Sequence, residues 1–177
     1  MKPLYLFVSL VIFCGSAGAV EKFSDGPLII GYGKHASIEH NQNLTANTRL
    51  KVAFDVGDRS AENQLNGKFD SLARFLNMHV ANGIPAENIE LALVVHGKAG
   101  LDLLNDKNYQ KMAKINNPNH QLLSKLMEQN VKVFICGQSA AYMQIAKSDL
   151  IPGVQMSLSA MTTHALLQNE GYHLNPF

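Results

Sequence analysis

The chain has 177 residues, of which 46% are hydrophobic and 16% charged, and its formal net charge is +1. That length suits one domain of roughly 100–200 residues, able to bury a full core without staples. A near-neutral charge with no basic stripe excludes the electrostatic footprint of a duplex nucleic-acid binder, and the ordinary apolar content excludes a disordered chain.

Residues 1–19 read as a signal peptide and not as part of the fold. Lys2 gives a short positive start, Leu4 to Cys14 is apolar and uncharged, and Ala17 and Ala19 occupy the positions a signal peptidase reads. The apolar run of about 11 residues falls short of the roughly 17–25 that cross a bilayer. Cleavage after Ala19 is therefore expected, giving a periplasmic or secreted product with no membrane segment left. Cleavage would also remove Cys14, so Cys136 would have no partner for an internal disulfide. An odd cysteine in an exported chain points to intermolecular pairing or to a free thiol with a task, unless it is simply buried and inert.

Residues 20–49 are polar with little periodicity and read as an arm laid over the domain, with a short extended piece at Leu28–Ile30. The domain itself is expected to span residues 50–177. Leu50–Val56 alternates as a strand. Leu65, Phe69, Leu72, Ala73, Leu76 and Val80 recur at helical spacing, and Asn82-Gly83 with Pro85 beyond them stops that helix. Ile89–Val95 is a nearly continuous apolar run, as in a strand covered on both faces.

Leu101–Leu104 and Tyr109–Ile115 read as short helices, and Pro118 as the first residue of a helix whose inner stripe is Leu122, Leu123, Leu126 and Met127. Val131–Cys136 is a third strand, followed by a turn at Gly137-Gln138-Ser139 and a helix over Ala140–Lys147. Val154–Leu158 is a fourth strand, and Ser159 caps a last helix running to Gly171. The helical methionines, Met161 among them, read as packing residues. This alternation predicts right-handed β-α-β units: an α/β three-layer sandwich with a mostly parallel, open sheet.

Ligands of such sheets bind outside the carboxyl ends of the strands. Those ends carry Asp55, His96, Cys136 and the Ser157/Ser159 pair. A thiol directly before a helix start is biased toward thiolate by the free N–H groups, and an imidazole at His96 would reinforce it or shuttle a proton. Gly137, Gln138 and Ser139 would present backbone and side-chain donors to a small anion. Plainer roles stand beside these. Cys136 suits a small core residue, His96 a loop hydrogen bond, Asp55 a cap and Ser159 a helix cap. His35 and His40 are too few for a metal site, and the chain has no phosphate loop, dinucleotide turn, G-x-S-x-G elbow or CxxC. No metal and no cofactor is expected.

The segments LKVAFDV, ARFLNMHVANGIPAENIELALVVHGKA, VKVFICGQSAA and DLIPGVQMSLSAMTTHALLQNEGYHLNPF resemble the secreted branch of the DsrE/DsrF-like family. The resemblance covers Leu50 to Phe177, and its most specific parts are the Cys-Gly-Gln-Ser-Ala turn and the Asp-Leu-Ile-Pro-Gly-Val segment. It implies a flavodoxin-like three-layer fold and a homo-oligomer, a trimer or hexamer. Sulfur-relay members carry sulfur as a persulfide on a cysteine near a strand end, and Cys136 falls at such a place. The expected partner is a small sulfur species or a protein that donates or accepts sulfur. A non-catalytic oligomeric module that binds such a species without covalent chemistry is the alternative.

Overall fold

Two seven-residue segments form the middle of the sheet in the computed structural model, which describes residues 22–175. The expected signal peptide lies outside the described residues. β1 (Leu50–Val56) and β2 (Ile89–Val95) pair in parallel along their whole lengths, from Leu50 opposite Ile89 to Val56 opposite Val95. Every residue of β2 except Glu90 is buried, as a strand packed on both faces requires. β3 (Lys132–Cys136) pairs with β2 and β4 (Gln155–Ser157) with β3, while β5 (His173–Asn175) pairs with the other side of β1. The order is β4-β3-β2-β1-β5, with all pairings parallel.

Right-handed crossovers turn this order into layers. From β1 to β4 the chain steps in one direction, so its helices fall on one face. These include α1 (Gly67–Ala81), α2 (Asp106–Ala113) and α3 (His120–Glu128); α1 and α3 pack Phe69, Leu72, Leu122 and Leu123 against Phe54, Leu93 and Ile135. Each such fully buried side chain contributes about 1.5–3 kcal/mol relative to exposure. The return from β4 to β5 reverses direction and puts α5 (Ala160–Asn169) on the opposite face, where Leu167 and Tyr172 pack on Ala53, Ala92 and Val94. That face is the thinner layer, and Leu158, Met161, Leu166 and Leu174 remain exposed there. No described helix is long and apolar enough to cross a membrane.

The reversal also fixes where a crevice opens. The chain leaves β3 into α4 (Gly137–Tyr142) on the first face and leaves β4 into α5 on the second. Neighbouring strands whose continuations part to opposite faces leave a gap at their carboxyl ends. Here that gap lies between Cys136 and Ser157, which are register partners.

The local structure departs from the sequence reading in four places. Leu28–Ile30 is bent, not extended. Asn77 on α1 is fully buried and draws the bend inward: its Oδ1 accepts from the N–H groups of Leu28 at 3.1 Å and Ile29 at 2.8 Å. Pro118 does not open α3, which starts at His120. Asn117 and Asn119 ahead of it belong to a buried polar cluster, with Asn117 Nδ2 donating to the carbonyls of Asp102 and Leu104. The helix after β3 starts at Gly137 and ends at Tyr142, because Gln144 takes a left-handed φ of 56°. Lastly, the three-residue β5, with no apolar run to mark it, completes the sheet beyond the four strands read from sequence.

Candidate functional site at the strand ends

Alternation along β1 places Asp55 on the same face as Ala53, the face that α5 covers. His96 follows the last residue of β2, and its N–H is held by the carbonyl of Val56 at 3.0 Å. A Cβ on Gly57 would come within 2.7 Å of the His96 ring, so that glycine leaves the imidazole its space. His96 Nε2 then lies 3.0 Å from Asp55 Oδ2.

A second imidazole meets the same carboxylate. Ser159 caps α5 by accepting from Thr162 N–H, and one turn along that helix His164 Nε2 reaches Asp55 Oδ1 at 2.7 Å. An ionised carboxylate only accepts, so each ring donates through Nε2–H and keeps Nδ1 free as an acceptor when neutral. Burial pushes the Asp55 carboxyl up, but the hydrogen bonds and charge from His164 and His96 outweigh it and hold it below its ordinary value.

Cys136 closes the group. The residue is 6% exposed, and burial by itself raises its thiol pKa. Opposing that are the N–H and hydroxyl of Ser139, the N–H of Ala160 and the N–H of Gln138, and the net shift is downward. The donors come from the first turns of two helices, α4 and α5, that part to opposite faces of the sheet. Ser139 Oγ accepts in turn from Gly97 N–H at 2.9 Å, which ties the segment after His96 to the thiol's surroundings. Asp55, His96, Cys136, Ser139, Met161 and His164 all line one cavity of about 380 Å3.

The residues singled out from sequence thus converge, though not all in one role. Gly137 is a packing requirement: any Cβ there would collide with the carbonyl oxygen of Ser157. Gln138 lies along the cavity edge and donates from Nε2 to the carbonyl of Leu158 at 3.2 Å. Asp55 does not cap a helix. Met161 is not packing, since it is exposed and lines the cavity.

Sequence reasoning missed His164 and the Ala160 N–H. Ser159 was legible as a cap, and a helix starting there puts positions 161 and 164 on one side. Only the return crossover to β5 shows that this side faces Asp55. No group of three or more described His, Cys, Asp or Glu side chains is arranged to hold a metal ion.

The model of the DsrE/DsrF-like family matches residues 56–176, a span that includes His96, Cys136 and His164. Among solved structures, the protein of unknown function MTH1491 from Methanobacterium thermoautotrophicum is similar at 20% identity. It has a TM-score of 0.48 and covers 71% of this chain and 97% of its own. The ychN protein from E. coli is similar at 22% identity with a TM-score of 0.49, again over 71% of this chain and 97% of its own. No curated protein matches the chain.

Proposed function

The chain belongs to the DsrE/DsrF-like family, and from that premise we propose that it is an exported sulfur carrier that holds sulfane sulfur as a persulfide on Cys136. A sulfur-relay-related role fits the family in general. One observation carries the finer reading: Cys136 lines one cavity with Asp55, His96, His164 and the first turns of α4 and α5, whose N–H groups favour its thiolate despite burial. The thiolate is the nucleophilic form, and its terminal sulfur adduct is an anion that the same N–H groups suit. In the transfer, Cys136 thiolate attacks the outer sulfur of the donor. An S–S bond to Sγ forms, the donor's own bond to that sulfur breaks, and the electron pair leaves with the donor. His96, aligned by Asp55, assists proton transfer to the leaving group.

The same reading places the mature chain in the periplasm or outside the cell as a homo-oligomer, a trimer or hexamer. Four exposed apolar residues on the thin α5 face, Leu158, Met161, Leu166 and Leu174, support a subunit contact there. Sedimentation of the mature protein tests it, and a monomer at all concentrations would remove that part of the proposal.

Intact-mass measurement after treatment with thiosulfate or polysulfide tests the carrier role. A gain of one sulfur atom that disappears in Cys136→Ser is the expected result, and no gain anywhere between pH 6 and 9 would sink it. The low exposure of Cys136 favours one second reading, a module that binds a small sulfur anion without covalent chemistry. Under that reading the thiol resists alkylation at every pH while the anion still binds.

A further inference from the structure

We infer that the donor for Cys136 is a small organic persulfide with an apolar body and a carboxylate, seated in a second cleft beside the thiol. The inference rests on the carrier reading above and names its substrate class. The cleft is a cavity of about 300 Å3 lined by Gly97, Lys98, Gln138, Ser139, Tyr142 and Met143. It shares Gln138 and Ser139 with the cavity that holds Cys136, so the two adjoin across those side chains. Each falls in the size range of small-molecule sites, which are mostly apolar with a few placed polar groups.

Three features give the cleft its preference. Tyr142 is 91% exposed, an aromatic ring left in water at the end of α4. Met143 beside it seats its terminal methyl against Gly100, where a Cβ would come within 2.6 Å of it. A flat apolar body placed there gains both the ring face and the thioether contact. Lys98 supplies the charge: among the described residues its ammonium has no ion-pair or hydrogen-bond partner in this structure. Gly97, at a left-handed φ of 52° with its N–H on Ser139 Oγ, carries Lys98 on the segment that touches the thiol's own surroundings.

An inorganic dianion such as thiosulfate fits this arrangement less well. Lys98 is the one lysine or arginine among the described residues lining the two cavities, the imidazoles of His96 and His164 are engaged with Asp55, and the N–H groups near Cys136 are already directed at its sulfur. Stripping water from a compact dianion against Met and Tyr walls costs more than those groups return. An organic persulfide, R–S–SH, needs no further cation at the reacting end. Cys136 thiolate attacks its outer sulfur, Sγ–S forms, the S–S bond of the donor breaks, and R–S⁻ leaves with the electron pair. Thiol and persulfide exchange places, with no oxidant or reductant consumed.

The test compares sulfur loading of Cys136, followed by intact mass, from benzyl persulfide, 4-carboxybenzyl persulfide and thiosulfate. Exposed ion pairs contribute little, so the carboxylated donor should load about threefold faster than benzyl persulfide. Lys98→Glu should abolish or reverse that preference, and Tyr142→Ala should slow both organic donors while leaving thiosulfate unchanged. Both side chains are exposed, so neither change disturbs the core. A preference that persists in Lys98→Glu, or organic rates unaffected by Tyr142→Ala, overturns the inference. If no donor loads Cys136, the carrier reading fails, and the cleft is judged with 4-(methylthiomethyl)benzoate, which has no transferable sulfur. Saturable shifts of the Met143 methyl resonance that weaken severalfold in Lys98→Glu uphold the ligand class, and their absence overturns it.

Discussion

Asp55 Oδ1 and His164 Nε2 stand 2.7 Å apart although 109 residues separate them in the chain. The contact joins the first strand of the sheet to its last helix, and the other oxygen of the same carboxylate holds His96. One side chain therefore orients two imidazoles at the mouth of the Cys136 cavity. Asp55→Asn offers one oxygen where there were two, so one ring loses its acceptor. Sulfur loading of Cys136 is expected to slow about 10- to 100-fold, as when the group orienting an acid–base residue is removed. His164→Gln, which spares the Asp55–His96 bond, should cost less if His96 is the proton-transfer group. Equal losses in the two variants would move that role to His164.

Acid stability reports the same carboxylate. Its folded-state pKa is depressed, so its stabilisation is complete above the unfolded carboxylate value of about 3.9 and is lost as pH falls through the folded value below that. Wild type should therefore lose more stability than Asp55→Asn in urea titrations carried from pH 6 down into this acid window. Parallel curves for the two proteins would show that Asp55 gains nothing from its histidines.

Cys136 offers the corresponding test at the alkaline end. Its folded pKa is depressed, so iodoacetamide alkylation should reach half its plateau below the pH of about 8.5 at which an ordinary thiol does. Ser139→Ala removes the hydroxyl donor while keeping the N–H, and the midpoint should move upward. The linked stability has the same sign. It is fully present above the unfolded thiol value and falls away as pH drops through the folded one. The stability difference between wild type and Cys136→Ser should thus widen as pH rises toward about 8.5. An alkylation midpoint at or above the ordinary value contradicts the thiolate assignment.

Gly137 separates a packing role from a ligand-binding one. Because its Cβ would meet the backbone of Ser157, Gly137→Ala must push β3 and β4 apart at the crevice, with an expected cost of about 1–3 kcal/mol in urea unfolding. Gly67, at the first position of α1 with open space around it, is the matched control, and Gly67→Ala should be neutral or slightly stabilising. A tolerated Gly137→Ala would mean that the crevice is not closed as tightly as the structure has it.

Much of this fold could be read from the residues because its long elements follow one period. Leu50–Val56 and Ile89–Val95 alternate or run apolar over seven residues, and they form β1 and β2 with those bounds. The short pieces were less legible. β5 has three residues and becomes a strand only because β1 offers it an edge. The site followed the same division. Asp55, His96 and Cys136 sit at ends of strands that could be recognised, so topology alone gathered them. His164 depends on a reversal of chain direction that no local pattern encodes, and Met161 looked like packing because its helix covers a face with nothing further on it.

One side chain of the domain is expected to hold the arm in place. Asn77 is fully buried on α1 and serves five backbone groups: it accepts from Leu28 and Ile29 and donates to the carbonyls of Ile29 at 3.1 Å, Tyr32 at 3.0 Å and Gly33 at 3.4 Å. Gly26 lies so close that any Cβ there would overlap the Asn77 side chain. Asn77→Ala leaves those N–H and C=O groups unpaired unless the arm lifts into water, at a cost of about 1–3 kcal/mol for the least well satisfied of them. Lifting is the cheaper outcome, because few apolar side chains of the arm are buried beyond Ile29. Trypsin should then cut after Lys34, whose carbonyl Arg74 now holds at 2.9 Å, well before it attacks the domain. Alkylation of Cys136 should keep its wild-type rate, since the cavity lining includes no residue of the arm. Slow cleavage at Lys34 together with an unchanged urea midpoint would show that the arm is held by its other contacts, Gly33 N–H on Asp70 and the Tyr32 hydroxyl on Gln121, without help from Asn77.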